Sequence, residues 1–158
     1  YDQACAVIMD NLKQLGFTKG DPMEAVKAGA HAMFMPCGLG HMMGLDVHDM
    51  ENLGEVYVGY NGQPKSTQFG RKSLRLGREL EPGFVLTIEP GVYFIPELMD
   101  LWKSQNKFTE FINYDKLFQY RDFGGIRNEE DYLITADGAR RLGKKIPLTT
   151  EEVEAIRQ

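Results

Sequence analysis

Three segments that lie far apart in the chain each place a potential metal ligand beside residues that bend the backbone. The ligands are one imidazole and two carboxylates, on His41, Glu89 and Glu129. One nitrogen with several oxygens suits Mn²⁺, Co²⁺, Fe²⁺ or Zn²⁺ better than the thiolate-rich set of a structural zinc site. Three ligands are too few for a pair of ions about 3.5–4 Å apart. The sequence therefore predicts part of a divalent-metal centre.

Glu89 ends the apolar run Val85-Leu86-Thr87-Ile88 and directly precedes Pro90-Gly91. A carboxylate at the end of a buried strand is costly unless it is paired, hydrogen-bonded or bound to a cation. Proline removes a backbone donor and glycine permits a bend, so the strand is predicted to break where the carboxylate lies. A metal-binding or catalytic role is favoured here, and a structural ion pair is the alternative.

The histidines give weaker signals. His41 follows Gly-Leu-Gly, and a structural histidine with satisfied hydrogen bonds is the alternative to a ligand. His48 comes seven residues later, with Asp46 and Asp49 on either side. A carboxylate near an imidazole fixes its tautomer and raises its pKa, which suits a proton carrier or a donor to an oxyanion. The alternative is a capped turn in which Asp49 accepts from backbone amides.

Three acidic residues, Glu129, Glu130 and Asp131, stand directly before an apolar stretch. In a strand, alternation would place Glu129 and Asp131 on one face with Arg127, and Glu130 on the other. Arg127 could neutralise and orient a neighbouring carboxylate, and a bound dication would also make the crowded charges tolerable. A solvated acidic turn is the alternative, and it suits Glu130 better than Glu129.

Helices are predicted at both ends of the chain. Apolar residues at three-residue steps predict a helix from Asp2 to Leu15, ended by Gly16. Asp21 as N-cap, followed by proline and by glutamate three residues after the cap, predicts a second helix that runs to Met33. A last helix is expected after a Thr149 or Thr150 cap and extends through Arg157.

Strands are predicted between these helices. One buried strand covers residues 84–88, breaks at 89–91 and resumes at 92–95, and a strand pair covers 124–134. Residues 55–78 are expected to form a long loop, and 97–120 an insertion with a helical face of Leu98, Leu101 and Trp102. Terminal helices around bent strands predict an α+β domain with an antiparallel or mixed sheet.

Composition narrows the possible partners. The 158 residues carry a net charge of −5, with 42% hydrophobic and 26% charged residues. No basic excess is present to neutralise phosphates, so nucleic acid is not expected as a partner, and short basic runs such as Arg71-Lys72 suggest solvated surface charge. No apolar run reaches the roughly 20 residues that span a bilayer. Two cysteines, Cys5 and Cys37, make a poor disulfide framework and favour a cytoplasmic protein with free thiols.

Taken together, three motifs resemble the core of the Xaa-Pro peptidases, aminopeptidase P and prolidase. They are FMPCGLGHMMGLDVHD (34–49), LEPGFVLTIEPGVY (80–93) and GIRNEED (125–131). The resemblance covers nearly the whole chain, in the same order, and as a set the motifs are highly specific. It implies the pita-bread fold, in which two αβ halves face each other around a metal pair. Residues 1–158 would form a single domain, the C-terminal portion of that fold.

The resemblance also implies roles for individual residues. His41, Glu89 and Glu129 would be metal ligands, with Glu129 as the bridge between the ions. His48 would contact substrate and assist the tetrahedral intermediate, and Arg127 would sit behind the bridging carboxylate. The cofactor implied is a pair of divalent ions, with manganese expected first and cobalt or zinc as alternatives.

Two departures from the family pattern qualify these expectations. The family usually has a second histidine where Cys37 stands. It also supplies two aspartates from strands upstream of the first helix of this chain. Asp10 and Asp21 have a suitable spacing but lie on and before predicted helices, so they are rejected as ligands. The chain is therefore expected to be a fragment of a longer metallopeptidase, with an incomplete site and no activity by itself.

For the longer parent, the resemblance implies hydrolysis of the bond between an N-terminal residue and proline. An Xaa-Pro aminopeptidase is favoured, and an Xaa-Pro dipeptidase is the alternative. Proline-containing peptides are the expected partners, and the parent is expected to be a homo-oligomer. A non-catalytic pita-bread binding protein is the alternative from another class, but such proteins tend to lose ligands, and all three visible ligand positions are filled here.

Overall fold

The computed structural model describes residues 1–157 and places short helices around two antiparallel sheets. The helices are α1 (Asp2–Gln14), α2 (Pro22–Ala28), α3 (Glu55–Val58), α4 (Pro96–Ser104), α5 (Tyr114–Leu117) and α6 (Thr150–Ile156), with 3-10 turns at Ala30–Met33, Glu51–Leu53, Arg71–Ser73 and Phe118–Tyr120. The strands are β1 (Val85–Ile88), β2 (Gly91–Phe94), β3 (Gly124–Arg127), β4 (Glu130–Thr135) and β5 (Gly138–Arg141). The α+β class predicted from the sequence is confirmed.

The β1–β4 pair and the β2–β3 pair follow each other along the chain and together form one bent, two-stranded ribbon. β4 lies between β1 and β5 in a three-stranded sheet, and β2 pairs with β3 in a second sheet. The chain passes from β1 to β2 through Glu89-Pro90, and from β3 to β4 through Asn128-Glu129. Ile88 pairs with Glu130 before the bend and Gly91 pairs with Arg127 after it, so the two interruptions lie opposite each other.

The free edge of β1 is occupied by the glycine-rich segment that carries His41. Thr87 N donates to the His41 carbonyl oxygen at 3.0 Å, and Glu89 N donates to the Leu39 carbonyl oxygen at 2.7 Å. Met43 N donates to the Val85 carbonyl oxygen at 2.9 Å. This pairing brings the first predicted ligand alongside the strand that ends at the second.

The core lies between α1, the 3-10 turn at Ala30–Met33, β2 and the helices of the 96–120 insertion. α1 contributes the buried side chains Cys5, Met9 and Leu12 at helical spacing. Phe94 on β2 packs edge-on against Phe17 and Phe34, with ring centroids 5.3 and 5.9 Å apart. This core anchors β2 and thereby the half of the ribbon that follows the bend.

Two helical expectations need correction. The second helix ends at Ala28 and not at Met33, because Gly29 adopts φ 98° and closes it before a separate 3-10 turn begins. Glycine reaches this left-handed conformation without steric cost. In α4 the buried residues are Met99 and Trp102, while Leu101 is 51% exposed. The buried face of α4 is therefore rotated by part of a helical turn from the face predicted from the sequence.

Other predicted elements agree closely with the structure. Thr149 and Glu152 form a reciprocal capping box at the start of α6. Residues 55–78 contain only two short helical turns among loops, as expected. Within the described part of the chain, no helix is long and apolar enough to cross a membrane.

Candidate metal centre

The bend of the ribbon places two carboxylates side by side. Glu89 lies directly after β1 and Glu129 directly before β4. Each carboxylate therefore belongs to one of the two interruptions that face each other across the ribbon. Pro90 cannot donate to a ladder, and its carbonyl oxygen accepts from Asn128 N at 3.3 Å. The Glu89 side chain is 14% exposed, whereas that of Glu129 is 43% exposed. Glu89 is therefore the more enclosed of the two carboxylates, and Glu129 faces the opening.

His41 reaches the two carboxylates because Gly40 permits an unusually close backbone approach. A Cβ atom on Gly40 would lie 1.9 Å from the carbonyl oxygen of Thr87, so the residue must be glycine for the segment to pair with β1. The His41 side chain is only 4% exposed, and its Nε2 lies 3.4 Å from Glu89 Oε1. One ligand atom from each of His41, Glu89 and Glu129 falls within 4.8 Å of the others.

The hydrogen bonds of His41 suit a metal ligand. Nδ1 lies 3.0 Å from the carbonyl oxygen of Met42. A carbonyl oxygen only accepts, so Nδ1 carries a proton, and Nε2 is the ring nitrogen that faces the Glu89 carboxylate. Two acceptors facing each other across 3.4 Å repel unless a proton or a cation lies between them. The donor set therefore fits a divalent cation.

Thr87 supports both ligands from the middle of β1. Its hydroxyl oxygen accepts from His41 N at 3.0 Å, and its hydroxyl donates to Glu89 Oε1 at 3.2 Å. The residue is 1% exposed, so its hydroxyl would be costly to bury without these partners. The sequence analysis did not single out Thr87. A lone hydroxyl in the apolar run before Glu89 was the signal that could have identified it.

Arg127 binds both carboxylates. Its Nη1 lies 3.1 Å from Glu89 Oε2, and its Nη2 lies 3.5 Å from Glu129 Oε2. The Glu89 carboxylate is the main cause that raises the pKa of Arg127 above its ordinary value. The predicted grouping of Arg127 with Glu129 matches this geometry. Glu130 points elsewhere and pairs with Arg141 at 3.1 Å, as alternation predicted.

Tyr93 is a further residue that the sequence analysis missed. Its ring lies across two glycines: a Cβ on Gly91 would meet the Tyr93 hydroxyl oxygen at 2.5 Å, and one on Gly125 would meet its ring at 2.5 Å. The phenol lies beside the Cys37 thiol and the Arg127 guanidinium, and burial raises its pKa. The available signal was a pair of glycines. Gly125 pairs with Tyr93 across the ladder and Gly91 lies two residues before it on β2, so together they leave room for one large ring.

Cys37 lines the same cavity where the family usually has a histidine. It is a free, half-buried thiol, and burial raises its pKa, so it is protonated at neutral pH. A neutral thiol cannot supply the charge stabilisation that an imidazolium would give. The departure noted in the sequence therefore changes the chemistry of the cavity wall.

The His48 ring packs against the His41 ring. The two rings are perpendicular, with centroids 4.2 Å apart. Among the described residues, neither Asp46 nor Asp49 forms an ion pair with His48. Asp49 instead folds over Gly44, where a Cβ would lie 2.4 Å from its carboxylate. The Asp49 carboxylate therefore faces its own turn, which favours the alternative of a turn closed by Asp49 over a flanking carboxylate that orients His48.

The cavity around these groups has a volume of about 430 Å³. One side is formed by the ribbon and the segment that carries His41. The other side is formed by the loops, which contribute Val47, His48, Ser73 and Arg75. Arg75 forms an ion pair with Glu51. Nothing in the sequence pattern identified Ser73 or Arg75, since both lie in a long loop without periodicity.

The two aspartates rejected from the sequence lie outside this cluster. Asp10 is exposed on α1, and Asp21 accepts from Glu24 N at 2.8 Å as the N-cap of α2. Within residues 1–157, the group of side chains that could hold a metal ion comprises His41, Glu89 and Glu129. The chain thus brings together one imidazole and two carboxylates.

Comparison with known proteins supplies the context for this cluster. A family model described as metallopeptidase family M24 matches residues 1–136. The chain belongs to this family. Human Xaa-Pro dipeptidase is 40% identical over 147 residues, which cover 93% of this chain and 28% of that protein. A probable Xaa-Pro aminopeptidase from Sordaria macrospora is 36% identical over 152 residues, covering 96% of this chain and 31% of that protein.

Solved structures give the same assignment. Proline aminopeptidase P II from Yersinia pestis matches with a TM-score of 0.65 and 33% identity, covering 98% of this chain and 28% of that one. Aminopeptidase P from Escherichia coli with the inhibitor Pro-Leu matches with a TM-score of 0.64 and 34% identity, covering 98% and 27%. The resemblance to Xaa-Pro peptidases and the expected portion of the pita-bread fold are confirmed. The chain spans less than a third of the length of these M24 relatives.

Proposed function

We propose that the full-length protein is a metal-dependent hydrolase that cleaves the bond between an N-terminal residue and proline. The observation that carries this proposal is the convergence of His41, Glu89 and Glu129 to within 4.8 Å at the bend of the ribbon. Relatives named Xaa-Pro dipeptidase and aminopeptidase P support the substrate class.

His41, Glu89 and Glu129 would hold the ions, with Glu129 as the shared carboxylate. Manganese is the expected metal, and cobalt or zinc are alternatives, since a set with one nitrogen and several oxygens accepts all three. Three ligands suffice for one ion, and a dinuclear site requires further carboxylates from outside this chain. When bound, the ions lower the pKa of a coordinated water toward neutrality and polarise the substrate carbonyl.

The residues of this chain would then handle protons and charge. Glu89 would accept a proton from the attacking water and return it to the proline nitrogen as the bond breaks. His48, next to His41, would donate to the oxyanion of the tetrahedral intermediate. Arg127 would balance the charge of the Glu89 and Glu129 side chains and fix them in place, because its guanidinium contacts both.

We infer that the chain by itself is inactive, because it contributes an imidazole and two carboxylates to a site that needs more. It would be a fragment of a longer catalytic domain. The buried thiol of Cys5 and the half-buried thiol of Cys37 support a reducing, cytoplasmic setting for the parent. A homo-oligomeric parent remains our expectation from the family resemblance.

An Xaa-Pro aminopeptidase is the first candidate for the activity of the parent. An Xaa-Pro dipeptidase is the second, and Arg75 favours it. The C-terminal carboxylate of a dipeptide lies one residue from the scissile bond, so it must be bound within the cavity that also holds the metal ligands. Arg75 lines that cavity and carries a guanidinium that could bind a carboxylate.

Assays of the full-length protein would test this proposal and separate the two activities. Metal-stripped protein should have no activity, and added Mn²⁺ should restore cleavage of an Xaa-Pro peptide but not of a matched Xaa-Ala peptide. An aminopeptidase would cleave the tripeptide Xaa-Pro-Xaa, whereas a dipeptidase would cleave Xaa-Pro alone. Failure to cleave either Xaa-Pro substrate with any of the three metals would refute the proposal.

The inactivity of the fragment is tested separately. The 158-residue chain incubated with Mn²⁺ and the better substrate of the parent should show no metal-dependent turnover. Turnover by the chain alone would mean that the site is complete without further ligands.

A further inference from the structure

Two polar contacts tie the loop side of the cavity to the helical core, in addition to the packing of Phe69 against Trp102 with ring centroids 6.0 Å apart. Gln68 Nε2 donates to the carbonyl oxygen of Lys27, just before the end of α2, at 3.2 Å. Arg71 Nη1 lies 2.7 Å from Asp2 Oδ1, in the first turn of α1. Both ties are made by side chains, in contrast to the backbone ladders of the opposite side.

The Asp2–Arg71 pair is partly shielded from solvent. The Arg71 side chain is 22% exposed and the Asp2 side chain 45% exposed, and the Oδ1 atom of Asp2 that faces Arg71 is inaccessible to solvent but makes no hydrogen bond, so the contact is an ion pair only. The guanidinium carbon also lies over the Tyr1 ring, 5.9 Å from its centroid. The Tyr1 hydroxyl in turn lies 3.1 Å from Nε2 of the buried His31. Arg71 is thus held by charge and by an aromatic face at once.

Arg71 is directly connected to the cavity wall. It begins the 3-10 turn that ends at Ser73, and Leu74 N donates to the Arg71 carbonyl oxygen at 3.0 Å. Ser73 and Arg75, two and four residues further on, both line the cavity. The Ser73 carbonyl oxygen lies close to Gly38, 3.2 Å from where a Cβ would be. A displacement of Arg71 is therefore passed on to both lining residues.

We propose that Arg71 is a positioning residue for substrate binding, tied by Asp2 so that Ser73 and Arg75 stand at a fixed distance from the metal ligands. This inference rests on the proposed peptidase function for its kinetic consequence. Arg71 touches neither the metal ligands nor, in this role, the substrate. It acts through the short turn that it begins.

The kinetic test uses the full-length protein with Arg71→Gln, Asp2→Asn and the double variant. Since partly shielded ion pairs contribute modestly, we expect each single variant to raise KM about two- to fivefold while kcat changes less than twofold. The double variant should be no worse than Arg71→Gln, because either change breaks the same tie. Arg71→Lys, which can still pair with Asp2, should recover most of the loss.

Arg121→Gln is the matched control. Arg121 forms a two-pronged pair with Asp100 at 2.7 and 2.9 Å, with side-chain exposure of 35%, but lies directly after the insertion and does not line the cavity. The KM of the Arg121→Gln variant should equal that of the wild type. Equal KM values for Arg71→Gln and Arg121→Gln, or additive effects in the double variant, would overturn the proposal.

Amide hydrogen exchange gives a readout that does not depend on peptidase activity. In Arg71→Gln, the Leu74 amide should exchange several-fold faster, because the turn that protects it is no longer anchored, while Arg121→Gln should leave it unchanged. Unchanged exchange at Leu74 would overturn the proposal even in an active enzyme. If the parent proves to have no Xaa-Pro activity, this measurement still decides whether the tie exists. Asp2→Asn, the milder change, serves if Arg71→Gln does not fold.

Discussion

The two sides of the cavity are built by different means. Glu89, Glu129 and Arg127 lie at the ends of paired strands, and His41 is paired in turn to β1, so backbone hydrogen bonds fix their positions. On the other side, Ser73 and Arg75 belong to a loop held mainly by side-chain contacts: ion pairs, a glutamine, the Tyr60 hydroxyl that donates to the Leu74 carbonyl oxygen, and the Phe69 ring. The strand side has little freedom to move, whereas the loop side depends on contacts that single substitutions remove.

This difference suggests that the strand side of the cavity serves the chemical step and that the loop side sets substrate selectivity. Metal ligands must stay within a few tenths of an ångström of their positions, which a ladder of backbone hydrogen bonds can ensure. Residues that contact the rest of a substrate can sit on loops, where sequence changes alter specificity without disturbing the ions. We therefore expect substitutions on the strand side to abolish turnover, and substitutions of Ser73 and Arg75 on the loop side to shift KM.

The largest effect is expected for Glu89→Gln on the strand side. Glu89 would be both a ligand and the proton carrier, so the variant of the full-length protein should lose about 10²–10⁴-fold in kcat. Glu130→Gln is the matched control, because Glu130 lies one residue from Glu129 but pairs with Arg141. Steady-state kinetics should show the control within a few-fold of wild type. Comparable losses in both variants would mean that charge near the ribbon, and not the ligand set, controls activity.

A second strand-side test is Gly40→Ala. The new methyl group would lie 1.9 Å from the Thr87 carbonyl oxygen, so the segment must separate from β1 and carry His41 away from Glu89. We expect a loss of about 2–4 kcal/mol in the free energy of unfolding, together with weaker metal binding. Gly138→Ala, where no atom lies within 4 Å, should change stability little. Denaturant unfolding of both variants measures the difference, and equal stability would contradict the close pairing.

The third prediction concerns pH and the core beneath the loop side. Burial is the main cause that lowers the pKa of His31 from 6.5 to about 4, with the nearby Arg71 guanidinium also lowering it and Asp2 raising it. The unfolded chain therefore takes up a proton near pH 6.5 and the folded chain only near pH 4. The stabilisation is complete above pH 6.5 and is lost as the pH falls toward 4, by on the order of 2–3 kcal/mol.

Urea unfolding between pH 7 and 4.5 would measure this dependence. His31→Gln should flatten the curve over that range, because the buried imidazole is its source. The Leu74 amide should lose protection at higher pH than the amides of β1, since protonated His31 would repel Arg71. An unchanged slope in His31→Gln would assign the pH dependence to other groups. The smallest effect in this series is that of Arg71→Gln on KM.

Sequence reasoning succeeded where a local rule and the fold agreed. Glu89 stood out because a carboxylate after an apolar run and before proline needs a partner, and the structure supplies Arg127 and His41. The break between β1 and β2 was predicted from Pro90, which cannot donate a backbone hydrogen bond. Alternation also assigned Glu129 and Glu130 to different neighbours, since the pleat has a period of two residues.

Prediction from the sequence failed for features that depend on steric detail or on residues far apart in the chain. The orientation of Asp49 depends on the absence of a side chain at Gly44, and the end of the second helix depends on the left-handed conformation of Gly29. Arg75 could not be found, because only the folded loop brings it to the cavity. Thr87 was within reach of reasoning, since a buried hydroxyl requires partners.

The bend of the ribbon links metal supply to the lifetime of the fold. It gathers Glu89 and Glu129 around a single guanidinium, so a cation that enters there binds the folded chain and has no equivalent site once the strands separate. Free metal at 100 times its dissociation constant would add about 2.7 kcal/mol to stability. The melting temperature of the full-length protein would then report cellular metal levels, and depletion by a chelator would shorten its survival against proteases before any substrate is involved.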